Sequence, residues 1–201
     1  MQKVKSGLFK EAGERFSLFV IVPGSAPKEM FIPFYDGYLL CMGKKERVFF
    51  MEQKMKELID DLNTDLANEY AAVIQYTYYA ATIKGIHYEM FKPFFEKEIP
   101  DETGHALYLS EKISIYGGTP TTTPAPVKQV TELKDMLIEA RKAEQDTIQR
   151  YKNRIEQAEE LGLKELAIKL EDIIVDETEH FERMERILQD ARFQSEFAHQ
   201  A

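Results

Sequence analysis

The sequence predicts an all-α protein: a four-helix bundle of two antiparallel helical hairpins joined by a long crossover, preceded by an irregular N-terminal extension. Three observations carry this. From Met51 onward apolar residues recur with the period of a helix over four long stretches. Three of those stretches end at glycine, and the link between the second and third is rich in proline and threonine. Finally, Asp101-Glu102-Thr103-Gly104-His105 returns 75 residues later as Asp176-Glu177-Thr178-Glu179-His180.

Residues 1–50 are unlike the rest. Pro23-Gly24, Pro27 and Pro33 interrupt aromatic-rich pieces, and nothing there keeps a helical period. Asp36-Gly37 between apolar residues reads as a hairpin turn flanked by short strands. This extension is expected to be weakly ordered, and is read as an upstream over-read of the gene, since Met51 and Met55 are both plausible starts.

The first helix, residues 53–84, carries Leu58, Leu62, Leu66, Glu69, Val73, Tyr76, Ala80 and Ile83 on one face and closes at Gly85. The second, 90–116, carries Phe95, Ile99, Glu102, His105, Ala106, Leu109 and Ile113 and closes at Gly117-Gly118. The third, 130–161, carries Leu137, Ala140, Glu144, Ile148, Tyr151, Ile155 and Ala158 and closes at Gly162. The fourth, 163–191, carries Leu170, Ile173, Ile174, Glu177, His180, Phe181, Met184, Ile187 and Leu188. Thr131-Glu132 is the expected cap region of the third helix. Glycine just past a helix suits the left-handed conformation that closes its last turn. A tail, 192–201, follows.

Short links make the first and third connections antiparallel hairpins. The second link, Gly117-Gly118-Thr119-Pro120-Thr121-Thr122-Thr123-Pro124-Ala125-Pro126, favours extended chain. At roughly 3.1 Å per residue it reaches roughly 30 Å, the length of a twenty-residue helix. It therefore runs the length of the bundle. Pro100, inside the second helix, removes a backbone donor and is expected to kink or bulge the turn before Glu102.

Four acids and two histidines occupy core positions of these helices. Glu69 precedes Glu102, and Glu144 precedes Glu177, by the same 33 residues, with each pair disposed about its own glycine turn. Each pair thus lies level across its hairpin, and all six residues form one layer. Glu102/His105 and Glu177/His180 are spaced i, i+3, so each pair shares a helix face. Buried carboxylates must be protonated, paired or metal-bound. Two divalent cations neutralise four of them. Glu69, Glu102, His105, Glu144, Glu177 and His180 are accordingly a ligand set for two metal ions. Carboxylates with two imidazoles suit iron or manganese, and zinc also fits. Tyr76 and Tyr151 follow Glu69 and Glu144 at i+7. Either phenol can hydrogen-bond a ligand carboxylate or supply an electron, with plain core packing the simpler reading for Tyr151. His87 is expected to be solvent-exposed in its turn.

The bulk composition excludes several classes. A formal charge of −9 argues against a nucleic-acid groove. Cys41 is the only cysteine, so no intramolecular disulfide or four-cysteine metal site can form. The longest early apolar run, residues 18–22, is too short to span a membrane. A cytoplasmic location is expected.

With these residues in view, the chain resembles the bacterioferritin branch of the ferritin-like di-iron superfamily, beside the Dps-type bacterial proteins. The matching pieces are residues 68–76, Asp101-Glu102-Thr103-Gly104-His105, Glu144 and Asp176-Glu177-Thr178-Glu179-His180. The resemblance spans residues 51–190. It implies a ferritin-like bundle holding two iron ions per chain at a ferroxidase centre. In that centre Glu102 and Glu177 bridge, Glu69 and Glu144 are terminal, and Tyr76 is the tyrosine beside the iron. The reactants implied are Fe2+ with O2 or H2O2, the role iron storage or detoxification, and the assembly a homo-oligomer, a dimer or larger. Three departures stand out. Thr103 replaces the haem-ligating methionine, so no haem is expected. Lys97 stands where an inner-surface iron-binding histidine would be, although Asp101 is kept. Arg183 stands where some members have tryptophan. The tail makes a poor fifth helix. Among competing functions, a rubrerythrin-like peroxide reductase would want a second glutamate where Thr147 stands, and a manganese catalase-like enzyme is a further alternative.

Overall fold

Glycine and proline decide where these helices stop, and burial decides how they pack. The computed structural model describes the backbone over residues 7–11, 14–18, 20–21, 32–35, 38–40 and 44–197, with side chains over 48–195. The chain divides into two compact units, Met1–Gln53 and Lys54–Ala201.

In the first unit, β1 (Gly7–Glu11) pairs antiparallel with β2 (Glu14–Leu18). A second sheet has the order β3 (Val20–Ile21), β5 (Tyr38–Leu40), β4 (Ile32–Tyr35). Tyr35 faces Tyr38 in the β4–β5 pair, so the expected hairpin is formed. Its turn residues, Asp36-Gly37, lie outside the described residues.

The helices are α1 (Lys44–Thr82), α2 (Tyr88–Ile115), α3 (Leu133–Glu160), α4 (Lys164–Gln189) and a short α5 (Ala191–Phe197). A 3-10 turn, Gly85–His87, joins α1 to α2. Gly85, Gly117 and Gly162 all take positive φ, at 70°, 86° and 72°. After α2 and α3 the chain closes the same way. Gly118 N–H reaches the Ile113 carbonyl and Leu163 N–H the Ala158 carbonyl, at 2.9 and 2.8 Å. Those bonds satisfy carbonyls the helix end would otherwise orphan.

The N-cap of α3 is Glu132, within the expected cap region, although no side chain caps it. Two expectations change. His87 is half-buried, its ring 6.1 Å from that of Phe91. Finally, α2 is continuous α-helix through Pro93 and Pro100, without the expected bulge. Proline at 100 frees the carbonyl of residue 96. Glu96 is solvent-exposed, so water can satisfy that carbonyl without the helix breaking.

The crossover runs along α1 from Ile59 toward Ile83. It begins with Gly118 packed so closely on Ile59 that a β-carbon there would sit 2.4 Å from Ile59 Cγ2. Thr121 N–H donates to Asn63 Oδ1, and Ala125 N–H to the Ala67 carbonyl, both at 2.7 Å. It finishes at Leu133, which packs in the core with Ile83 and Phe91, at the end of the bundle away from Ile113.

The core is two apolar clusters. One gathers Leu58, Leu62, Leu66, Leu109, Ile113, Leu166, Leu170 and Ile173. The other gathers Tyr79, Ile83, Phe91, Phe95, Met136, Leu137 and Met184. Fully burying each such side chain contributes about 1.5–3 kcal/mol. On every long helix the boundary between the clusters falls at the predicted acid.

Candidate metal centre

Glu69 on α1, Glu102 and His105 on α2, Glu144 on α3, and Glu177 and His180 on α4 meet in that boundary layer. None of the six is more than 6% exposed. They form two overlapping groups. Ligand atoms of Glu69, Glu102, His105 and Glu177 all lie within 4.8 Å of one another, as do those of Glu102, Glu144, Glu177 and His180. Glu102 and Glu177 belong to both groups. Two unit charges at that separation repel by about 3 kcal/mol at an effective dielectric of about 20. A layer of four such carboxylates therefore needs positive charge within it.

The donor atoms point inward. Glu102 Oε1, both Glu177 oxygens and the Nδ1 atoms of His105 and His180 are buried without a hydrogen-bond partner. Buried polar atoms are almost always satisfied, so this concentration marks a place built for another bonding partner. His105 Nδ1 lies 3.2 Å from Glu177 Oε1 and 3.7 Å from Glu69 Oε2. His180 Nδ1 lies 3.4 Å from Glu177 Oε2. An oxygen- and imidazole-rich set of this kind fits a divalent first-row metal.

Without metal, the histidines carry the compensating charge. Burial disfavours the imidazolium of His105, but the surrounding carboxylates of Glu102, Glu177 and Glu69 outweigh it and lift the ring to about 12. Burial likewise opposes His180, yet Glu177 and Glu98 lift it to about 10. Burial also opposes ionisation of Glu177, while His105 and His180 draw it down to about 2. Glu102 and Glu144 go the other way, raised by burial and then by the Glu177 charge.

The two tyrosines are related in the same twofold way. Tyr76 on α1 donates to Glu144 Oε1, and Tyr151 on α3 donates to Glu69 Oε1. The plain-core reading of Tyr151 is thus replaced by a role equal to that of Tyr76. Burial raises both phenols well above their ordinary range, followed by Glu144 for Tyr76 and Glu69 for Tyr151. They remain protonated donors.

Sequence reasoning missed what stands behind the histidines. His105 Nε2 faces Asp176 at 3.7 Å, and His180 Nε2 faces Asp101 at 3.8 Å. Each motif's aspartate therefore serves the other motif's histidine. His180 has an additional neighbour, the buried Glu98, whose Oε2 lies 2.7 Å from Nε2. Glu98 was legible, for it precedes Glu102 by one turn and shares its face. Asp65, also one turn before a ligand, is fully buried between Arg150 and Arg154 at 3.1 and 2.8 Å. Burial raises its carboxyl to about 6 despite those arginines.

A four-helix bundle with Glu from two helices and Glu-x-x-His from the other two, converging in one buried layer, is a di-metal carboxylate protein. The chain belongs to the ferritin-like domain family, which it matches over residues 59–193. A ferritin-like, diiron-carboxylate protein from Bacillus anthracis str. Ames is 55% identical, with a TM-score of 0.67 over 68% of this chain and 98% of that one. The bacterioferritin of Desulfovibrio desulfuricans is 26% identical, with a TM-score of 0.64 over 69% of this chain and 81% of that one. A Dps protein from Bacillus brevis, 20% identical, shares the fold with a TM-score of 0.64 over 68% of this chain and 98% of that one. No curated protein matches the chain. Among the described residues, no helix is long and apolar enough to cross a membrane.

Proposed function

We propose that this protein is a ferroxidase, oxidising Fe2+ with O2 or H2O2 at the six-residue layer for iron storage or detoxification. One observation carries the reading: two four-residue groups overlap in Glu102 and Glu177, and their inward atoms lack other partners. Glu102 and Glu177 would span two Fe2+ ions, with Glu69 and His105 completing one side and Glu144 and His180 the other. Each bound Fe2+ supplies one electron, so a pair reduces one H2O2 and two protons to two waters, or one O2 and two protons to H2O2.

The chain's own groups do the rest. The carboxylates neutralise the incoming charge, and favour the 3+ product more strongly than the 2+ substrate. Tyr76 and Tyr151 hold one oxygen of Glu144 and of Glu69, orienting the other toward the metal. A cavity of about 170 Å3 on the α1–α3 face is lined by Ala72, Gln75, Lys128, Glu144 and Thr147 among others. Thr147 accepts a hydrogen bond from Arg150 at 2.8 Å and brings no further carboxylate, which supports ferroxidase over a peroxide reductase. We read the chain as a homo-oligomer, because Ile74, Leu107 and Val175 leave apolar side chains exposed along the helices.

Anaerobic titration with Fe2+ followed by separate additions of O2 and H2O2 tests this. About two Fe2+ per chain and rapid oxidation by one of the two oxidants are expected from the two-metal logic. No bound iron would reject it. Tight Mn2+ binding without Fe2+ oxidation would favour the manganese alternative.

A further inference from the structure

The twofold repeat that relates the two halves fails at several buried charges, and one of them stands behind a predicted ligand histidine. Residue 98 corresponds to residue 173, where the chain has isoleucine. Glu98 is only 2% exposed, and Ile173 is fully buried in the apolar core. The half of the layer around His180 therefore has a buried carboxylate behind its histidine, and the half around His105 does not.

Three contacts define what Glu98 does. Its Oε2 lies 2.7 Å from His180 Nε2. Its Oε1 accepts from Arg183 Nη1 at 2.8 Å. Arg183 is itself anchored to Glu179, its Nη2 donating to Oε1 at 2.6 Å. Glu98, Asp101 and His180 could on composition alone be a further cation site. The Arg183 guanidinium argues otherwise, since it already neutralises Glu98 and would repel a cation there. Among the described residues, the acid facing His105 Nε2 is Asp176, half-exposed and at 3.7 Å. Asp101 occupies the equivalent place behind His180 at a similar 3.8 Å. The aspartates therefore balance, and Glu98 is the difference.

We infer that Glu98, held by Arg183, is a positioning residue that fixes His180 and makes the Glu144–His180 half bind metal more tightly than the Glu69–His105 half. The inference rests on the di-metal reading above. The physical cause is general. A ligating imidazole that donates its other N–H to a carboxylate is fixed in tautomer and ring orientation and is a stronger base, and such partners are worth about 10–100-fold in metal affinity. With Nδ1 given to metal, Nε2–H would turn to Glu98, whose Oε2 lies buried 2.7 Å away with no other hydrogen-bond partner. Arg183 keeps that carboxylate in place through its 2.8 Å contact with Oε1.

The test is anaerobic titration of the full metal-free chain with Co2+, following its d–d absorption, with Zn2+ calorimetry alongside. The wild type should bind two ions in two unequal steps. Glu98→Ala should weaken the tighter step by about 10–100-fold and leave the other unchanged. Glu98→Gln, nearly isosteric, serves if the alanine variant does not fold, and should give a smaller loss of the same step. Arg183→Ala should weaken that step too, with Arg183→Lys partly restoring it. The decisive comparison is in a His180→Ala background, where Glu98→Ala should change nothing further, whereas in a His105→Ala background it should keep its full effect. Equal loss in both backgrounds, or none in either, would overturn the inference while leaving the di-metal reading intact. So would a third Co2+ that Glu98→Ala abolishes. A wild type that binds no metal would remove both.

Discussion

Tyr76 on α1 donates its phenol hydrogen to Glu144 on α3, across the bundle rather than along its own hairpin. Tyr151 returns the same bond from α3 to Glu69 on α1. Both rings are buried, Tyr76 at 2% and Tyr151 at 0% exposure, so neither bond is shared with solvent. Glu144 and Glu69 are therefore each held by the opposite hairpin, which couples the two halves at the buried acid–histidine layer.

Tyr76→Phe and Tyr151→Phe should have similar effects. Each removes a hydrogen bond to a buried carboxylate, costing about 1.5–3 kcal/mol if the carboxylate stays ionised. Metal affinity or the oxidation rate should fall by about 10–100-fold in either variant. Stopped-flow Fe2+ oxidation with urea unfolding reads both. A silent Tyr151→Phe beside an impaired Tyr76→Phe would return Tyr151 to simple packing.

Glu102→Gln should separate metal binding from folding. Burial and then the Glu177 charge raise the Glu102 carboxyl, so its ionised form is unfavourable without metal. Neutralising it should leave the metal-free melting temperature unchanged or higher. The metal-induced gain, about 2.7 kcal/mol for a ligand at a hundred times its dissociation constant, should largely disappear. Rapid Fe2+ oxidation should disappear with it while circular dichroism still reports helix. Undiminished oxidation would show that the layer is not the site.

Metal binding should release protons and strengthen as pH rises. His105 and His180 titrate near 12 and 10 in the metal-free fold, so both are imidazolium at neutral pH. A metal ion takes their Nδ1 atoms only when those protons leave. The metal-free protein has the opposite dependence. Both rings are raised above the unfolded value of about 6.5, so their stabilisation is complete below that pH. It is lost as pH rises through about 10 and then about 12. Calorimetry in buffers of different ionisation enthalpy counts the protons, and a count of zero would contradict the charged histidines.

Gly118→Ala should destabilise the crossover without touching the metal layer. The added β-carbon would meet Ile59 Cγ2 at 2.4 Å and Ile113 Cγ2 at 3.0 Å, both on stiff β-branched side chains. Overpacking of this kind costs about 1–3 kcal/mol. A lower urea midpoint with unchanged metal stoichiometry is expected. An Ile59→Val partner change does not remove the clashing Cγ2, whereas Ile59→Ala should recover part of the loss.

Much of this architecture was legible because it depends on local chemistry. Gly85, Gly117 and Gly162 end helices through their own φ preference. The crossover is extended because its prolines and threonines favour that state in isolation. The six predicted acids and histidines share a layer because helical period and equal spacing about a turn are one-dimensional properties. Tyr151, Glu98 and Arg183 were harder, since each acts on a residue of another helix. No local rule distinguishes a core tyrosine with a partner from one without. The bulge expected at Pro100 is absent for a related reason: its cost depends on whether the freed carbonyl reaches water, and the exposure of Glu96 is a property of the packed bundle.

By itself, then, the sequence determined the four helices, their order and which acids and histidines share the buried layer. Only the tertiary structure decided that Glu102 and Glu177 belong to both groups, that the tyrosines cross between hairpins, and that His180 alone is backed by Glu98. Periodicity sets which face a residue occupies. Which atom of a neighbouring helix meets it depends on how four faces pack against one another, and that is settled only when the apolar clusters on either side of the layer close.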